Sequence, residues 1–403
     1  MASIYIHIPF CKSKCAYCGF YSLPSLKLKE LFLEALKTEI ITRRDYLHGK
    51  TVNTIYFGGG TPSLLTIEEI DELLHLINDT YPIGNDPEIT LEANPDTLSL
   101  KYLEGLHQLG INRLSIGIQS FFDNDLQYLS RRHDSLHARQ SIEWAKQVGF
   151  SNISIDLIYG LPTSDAEQWN RNLDLFFEMR LPHLSAYALT LEPNAILTKQ
   201  IELGKVQPIN EEDALRDYEI LCRRANNNGY LHYEISNFCL RGMHSKHNAN
   251  YWFGKPYLGL GPSAHSFDKI SRQWNVSSVE QYCNAFHQCE EEQRNNPKNK
   301  LLTGLLHFIR NDEKGNMYQV SEKEVLSPEQ IYNEYVMLRL RTHWGIDLKY
   351  IKREMGERFS IYCEQHAQSL IAEGRLSQTR EFLYLTYEQM LFADGVAEEL
   401  FWE

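Results

Sequence analysis

Tyr5-Ile-His-Ile-Pro-Phe-Cys11-Lys-Ser-Lys-Cys15-Ala-Tyr17-Cys18-Gly19-Phe20 places three cysteines in a CxxxCxxC array directly after a run that alternates like a β-strand. Three thiolates on one short loop hold a soft metal centre but leave one coordination position open. A structural zinc ion wants a fourth Cys or His, yet Phe20 stands where a further thiolate would come, and His7 lies within the strand. An iron-sulfur cube held by three cysteines fits better, because its fourth iron can take a small molecule. The alternative is three unconnected thiols.

Working outward, Ile4 to Ile8 reads as a strand. The cysteine loop leads into a helix over Leu26 to Arg44, where Leu31, Ala35 and Leu36 recur at helical spacing. A second unit follows, with Asn53 to Phe57 as strand, Gly58-Gly59-Gly60-Thr61-Pro62 as turn and Ile67 to Asn78 as helix. Further strands are expected at Glu88 to Ala93, Arg113 to Ile118, Ile153 to Ile158 and His183 to Leu189, with helical segments between them. Strands and helices in alternation imply parallel neighbours joined by crossovers. The expected fold is therefore α/β, a partial (β/α)6 barrel. At or just past each strand end stands a chemically capable group: the cysteine loop, the Gly59 turn, Glu92, Gln119, Asp156 and Tyr187. Such ends share one face of a parallel barrel, where active sites are built. Asp156, inside an apolar strand, needs a ligand or a hydrogen-bond network to receive it. The glycines allow close backbone approach to a ligand or simply serve a tight turn. No Walker lysine follows them, which disfavours a nucleotide phosphate site.

At 403 residues the chain can form one large domain with a smaller appendage. Its apolar share is 43% with no run of membrane-spanning length, and Met1 to Phe10 lacks the features of a signal peptide, so a cytoplasmic location is expected. Eight cysteines are too few for a disulfide framework; Cys222, Cys239, Cys283, Cys289 and Cys363 read as ordinary thiols. A net charge of −13 disfavours sequence-independent binding to nucleic acid or anionic lipid.

The cysteine spacing, its Tyr-x-His-Ile-Pro-Phe-Cys lead-in and the Gly-Gly-Gly-Thr-Pro segment together resemble the radical S-adenosylmethionine (SAM) superfamily. The resemblance implies a [4Fe-4S] cluster on Cys11, Cys15 and Cys18 whose free iron chelates SAM, with reductive cleavage to a deoxyadenosyl radical and hence an electron donor. Carried over residue by residue, it assigns SAM contacts to Tyr5, Tyr17, Gly59, Gly60, Thr61, Glu92, Gln119, Arg131 and Asp156. Asp156 can accept ribose hydroxyls, Glu92 can face the cationic end of SAM, and Arg131 can pair with its carboxylate. The other reading of Arg131 is a solvated charge in the run Arg131-Arg132-His133.

Gly110-Ile-Asn-Arg-Leu-Ser-Ile-Gly-Ile-Gln-Ser-Phe121, Asp156-Leu-Ile-Tyr-Gly-Leu-Pro162 and Tyr233-Glu-Ile-Ser-Asn-Phe238 are similar to the oxygen-independent coproporphyrinogen III oxidase group, over nearly the whole chain. That group includes decarboxylating oxidases and a heme-chaperone (HemW-type) branch. The oxidases continue to a fourth cysteine, where this chain has Phe20, and carry an extension before the first strand; here that strand begins almost at Met1. His247-Asn-Ala-Asn-Tyr251-Trp252 matches the HNxxYW motif associated with heme in the chaperone branch. An imidazole beside two large aromatics suits axial ligation and porphyrin packing. Without the resemblance, a turn-capping histidine and two aromatics closing the barrel would explain the stretch. His265 and His244 are further candidates for a second ligand. Gly19, where the branch usually has an acid, and Ser130, where it usually has glycine, depart from the pattern, as does a polar insertion over Phe286 to Leu326.

The domain reading is 1–285 as barrel, 286–326 as insertion and 327–403 as a winged-helix-like helical module that opens at Ser327-Pro328. Its acidic end argues against DNA, leaving a cover for the open barrel or a protein-partner site. Three functions compete. One is a carrier that binds heme and delivers it to an acceptor protein, as a monomer or homodimer. The second is SAM-dependent decarboxylation of coproporphyrinogen III, and the third is another radical SAM activity such as methyl transfer or heme opening. The missing fourth cysteine favours the carrier.

Overall fold

The computed structural model describes residues 1–19, 21–286, 309–311, 317–319 and 321–403. Strands β1 (Ala2–Ile8), β2 (Val52–Gly59), β3 (Ile83–Ala93), β4 (Arg113–Gln119), β5 (Asn152–Tyr159) and β6 (His183–Ala188) lie side by side in chain order, all parallel. Helices Lys29–Thr42, Ile67–Thr80, Leu100–Gln108, Ser135–Val148 and Ala166–Glu178 form the crossovers. Side chains alternate across a strand, so Ile4, Ile6 and Ile8 of β1 enter the core while Tyr5 and His7 face the other side. Local chemistry sets the helix starts: Thr66 and Glu69 form a capping box, and Asp134 and Asp165 each accept from an amide of the first turn. The glycine segment differs from expectation, because β2 runs on through Gly58 and Gly59 and the turn begins only at Gly60.

The sheet grows at both ends without closing. Beyond β6 lies the antiparallel hairpin β7 (Leu231–Glu234) and β8 (Asn237–Cys239). Beyond β1 lie β9 (Tyr257–Leu260), β10 (His265–Phe267) and β11 (Ser271–Asn275), of which β9 is parallel to β1. Glu39 anchors this extension to the first helix. Its carboxylate is fully buried and accepts from Gly261 N at 2.8 Å, Asn275 Nδ2 at 2.8 Å, Tyr282 OH at 2.7 Å and Arg43 Nη1 at 3.3 Å. In the expected insertion, β12 (Ile309–Asn311) pairs with β13 (Met317–Gln319), and β14 (Ser321–Val325) adds to β11 as the sheet edge. The rest of that segment between Phe286 and Ser321, with Cys289, lies outside the described residues, and so does Phe20.

The C-terminal module has its own core around Tyr332, Val336, Phe359, Leu370 and Leu383. Its first helix, Pro328–Leu340, begins with the capping box of Ser327 and Gln330. Helix Glu357–Ala372 packs beside a small sheet of Ile346–Asp347, Phe382–Tyr384 and Ser377–Gln378. Leu348 to Met355 is a short α-turn running into a π-helical turn that Gly356 ends at φ 108°. The module touches both extensions of the sheet: Arg272 pairs with Glu334 at 2.9 Å, while His343 N donates to Tyr233 O at 3.1 Å. It therefore bridges the two extensions of the open sheet.

Candidate functional site

The cysteine loop is held from three directions. Cys11 N donates to Leu23 O, Ala16 N to Leu129 O, and Ala16 O accepts from Leu197 N. Ala16 itself is buried in an apolar cluster with Leu129, Ile158, Leu161, Leu189 and Leu197. The three thiols are half-buried and free of disulfides. Thr61 Oγ1 donates to Cys11 Sγ at 3.5 Å and Arg131 Nη1 to Cys15 Sγ at 3.4 Å. A hydroxyl and a guanidinium aimed at two of the sulfurs suit thiolate ligands, while among the described residues no three Cys, His, Asp or Glu side chains stand together closely enough to hold one metal ion. Gly19 has a spatial counterpart: a Cβ there would meet Glu192 Cγ at 2.6 Å, so an acid from a different segment occupies the space of a side chain at 19.

Arg131 is not a solvated charge. Its Nη2 donates to Asn94 Oδ1 at 2.6 Å and to Gly117 O at 2.8 Å, and Nη1 also lies 3.5 Å from Tyr17 OH. The preceding Ser130 adopts φ 57°, a left-handed conformation that glycine takes without penalty. Gln119 has φ 67° at a register irregularity between β4 and β5, a bulge that turns it toward Arg131. The two groups meet over Gly117, where a Cβ would lie 2.9 Å from Gln119 Nε2 and 3.3 Å from Arg131 Nη2. Asn94 Nδ2 donates to Thr61 Oγ1 at 3.0 Å and so ties the β2 and β3 ends together. Asn94 was not singled out above, although its place just past β3 is the signal that marked Glu92.

The glycine segment packs against the protein itself. A Cβ at Gly59, whose φ is 106°, would lie 2.7 Å from the His7 ring, and one at Gly60 would lie 2.6 Å from Phe10 O. Gly59 N donates to Glu92 Oε2 at 3.1 Å and Gly60 N to Ile8 O at 2.8 Å. These two amides are thus engaged within the fold. Glu92 also accepts from Tyr56 OH at 2.7 Å, and Asp156 accepts from Ser115 Oγ at 3.3 Å. Burial pushes Glu92 up to about 7 and Asp156 up to about 6, against the pull of their donors and of Arg113. Arg113, 1% exposed at the opposite end of β4, is the cation beneath both carboxylates. Nothing in the sequence singled it out, because it opens the strand while the capable groups cluster at strand ends. Tyr187 is exposed on the rim.

The histidines divide sharply. His247 is buried with Nδ1 at 2.9 Å from Thr54 Oγ1 and Nε2 at 2.8 Å from Tyr251 OH, and its backbone N donates to Glu88. Burial, then Arg113, lower its pKa to about 3, so the ring is neutral. His7 is engaged likewise, by Tyr5 OH and Tyr21 O. His244 packs edge-on to Trp344, with ring centroids 5.9 Å apart. Tyr251, Trp252 and His265 instead line a cavity of about 760 Å³ between the β10–β11 hairpin, Tyr5 and His7 of β1, and the helix Pro328–Leu340. The structure therefore gathers the cysteine loop, Arg131, Gln119, Glu92 and Asp156 at one barrel mouth, and opens an aromatic cavity beside Tyr5.

Residues 5–176 match the radical SAM superfamily and residues 326–392 the HemN C-terminal domain. Heme chaperone HemW of Bacillus subtilis is 32% identical over 399 residues, covering 98% of each chain. This chain belongs to the HemW family. Heme chaperone HemW of Lactococcus lactis is 30% identical over 98% of this chain and 96% of its own. Among solved structures, coproporphyrinogen III oxidase from Escherichia coli superposes with a TM-score of 0.79 at 22% identity, covering 99% of this chain and 89% of that one. That likeness establishes the shared architecture, a radical SAM α/β fold with an appended helical module.

Proposed function

We propose that this chain is a heme carrier that holds a [4Fe-4S] cluster and SAM, binds heme and passes it to an acceptor protein. The observation that carries the reading is that Tyr251 and Trp252, the aromatics of the HNxxYW stretch, line a roomy cavity opening beside the barrel mouth. His247 supports that wall through its hydrogen bond to Tyr251. Cys11, Cys15 and Cys18 would hold the cluster, with Thr61 and Arg131 donating to its thiolates. SAM would lie against Tyr5, Tyr17, Gly59, Gly60, Thr61, Glu92, Gln119, Arg131 and Asp156. With Gly59 and Gly60 amides engaged, their carbonyls are the groups left for an ammonium. When bound, the cluster and SAM supply one-electron chemistry, for which an electron donor is needed. Glu92 and Asp156, sharing a site in which burial favours their neutral forms, would ionise more readily against a cationic ligand. Among the described residues no helix is long and apolar enough to cross a membrane, and we infer a cytoplasmic carrier acting as a monomer or homodimer.

The test uses anaerobically reconstituted full-length protein. Heme-loaded chain mixed with apomyoglobin should transfer its heme, and coproporphyrinogen III with SAM and a reductant should yield no vinyl product. Decarboxylated product without heme transfer would replace the carrier by the oxidase. Separately, Cys11→Ser should lower iron content and cluster absorbance; an unchanged spectrum would remove the cluster assignment.

A further inference from the structure

The cavity beside β10 holds more than aromatic walls. His265 projects into it from the start of β10, exposed, with its ring stacked on Trp274 at 5.9 Å and 27°. Among the described residues no hydrogen bond engages either nitrogen of this ring, whereas His7 and His247 have both nitrogens occupied. Two cations stand on the same hairpin. Lys269 lies at its turn and Arg272 enters β11, and both line the cavity together with the carboxylates of Glu334 and Glu354. Among the described residues Arg272 pairs with Glu334 at 2.9 Å, and its buried Nε lacks a hydrogen-bond partner. Tyr335 of the helix Pro328–Leu340 lines the same cavity as Tyr251 and Trp252.

A flat aromatic macrocycle with a central metal and peripheral carboxylates matches this set: apolar walls, one imidazole with a free lone pair, and two cations along one strand pair. We propose that His265, rather than His247, is the axial ligand to the iron of the heme carried in this cavity, with Arg272 and Lys269 receiving its propionates. This rests on the carrier reading above. The step is a ligand exchange, in which an imidazole lone pair takes the place of a water on iron and no electron is transferred. Partial desolvation and then Arg272 lower the His265 pKa, which favours the neutral imidazole, the form that coordinates. His247 then acts as a positioning residue that fixes Tyr251.

The assay is anaerobic heme titration followed by the Soret band, on wild type, His265→Ala and His247→Gln, with far-UV circular dichroism as the folding control. Wild type is expected to saturate near one heme per chain with a histidine-ligated spectrum. His265→Ala should lose that signature and bind at least tenfold more weakly, and added imidazole should restore the spectrum. His247→Gln should keep the axial signature. Heme dimethyl ester should bind wild type more weakly than heme does, and this difference should shrink in Lys269→Ala. An unaltered spectrum in His265→Ala, loss of the signature in a folded His247→Gln, or equal binding of heme and its ester would overturn the assignment. No Soret change in wild type would instead overturn the carrier reading itself.

Discussion

Replacing Glu92 by Gln tests the electrostatics of the barrel mouth without any cofactor. Burial raises Glu92 from 4.5 to about 7, so across that interval the native chain holds a proton that the unfolded chain releases. More protons are bound in the native than in the unfolded state, and wild-type stability therefore falls as pH rises through the window. At about 1.4 kcal/mol per pH unit, the displacement corresponds to about 3 kcal/mol. Glu92 keeps some contact with water at the mouth, which reduces the expectation to roughly 2 kcal/mol between pH 5 and pH 8. Gln does not titrate, so Glu92→Gln should gain about that much relative to wild type over the same range. Its altered hydrogen bonds to Tyr56 and Gly59 add only an offset that does not vary with pH. Urea unfolding of cluster-free protein at pH 5, 6, 7 and 8, followed by circular dichroism, measures the gap. A gap that stays constant, or narrows as pH rises, would refute the reasoning.

Two further outcomes are expected. Glu39→Leu leaves the Gly261 amide, Asn275, Tyr282 and Arg43 facing an apolar side chain, and should destabilise the chain by about 3–5 kcal/mol in the same unfolding assay; a loss below about 1 kcal/mol would show that the β9–β11 extension does not depend on it. Ser130→Gly relieves a left-handed φ of 57° and should stabilise by about 0.5–1 kcal/mol, net of the entropy glycine adds to the unfolded chain; a measured loss of stability would contradict this.

Local pattern carried a good deal of this. Alternating strands and helices, read at their ends, located β1 to β6 within a few residues, because each element is set by side-chain period and by caps such as Thr66 and Ser327 that act over three or four positions. The cysteine spacing and the strand-end residues Glu92, Gln119 and Asp156 were legible for the same reason. Arg113, Asn94 and Glu39 were not, since their partners lie tens to hundreds of residues away and nothing within their own strands or helices distinguishes them.

The barrel's elements, the thiol array and the rim that gathers polar groups at the strand ends are written in the local sequence. The contrast between the two rings comes from the tertiary fold: among the described residues the His247 ring has two hydrogen-bond partners and the His265 ring has none. His247 sits in the motif but is enclosed by Thr54 and Tyr251, while His265 is turned into the cavity by a hairpin that no local pattern places there. Coordination depends on an uncommitted lone pair, and whether a lone pair is committed is settled by contacts across the fold, not by the residue's neighbours in the chain.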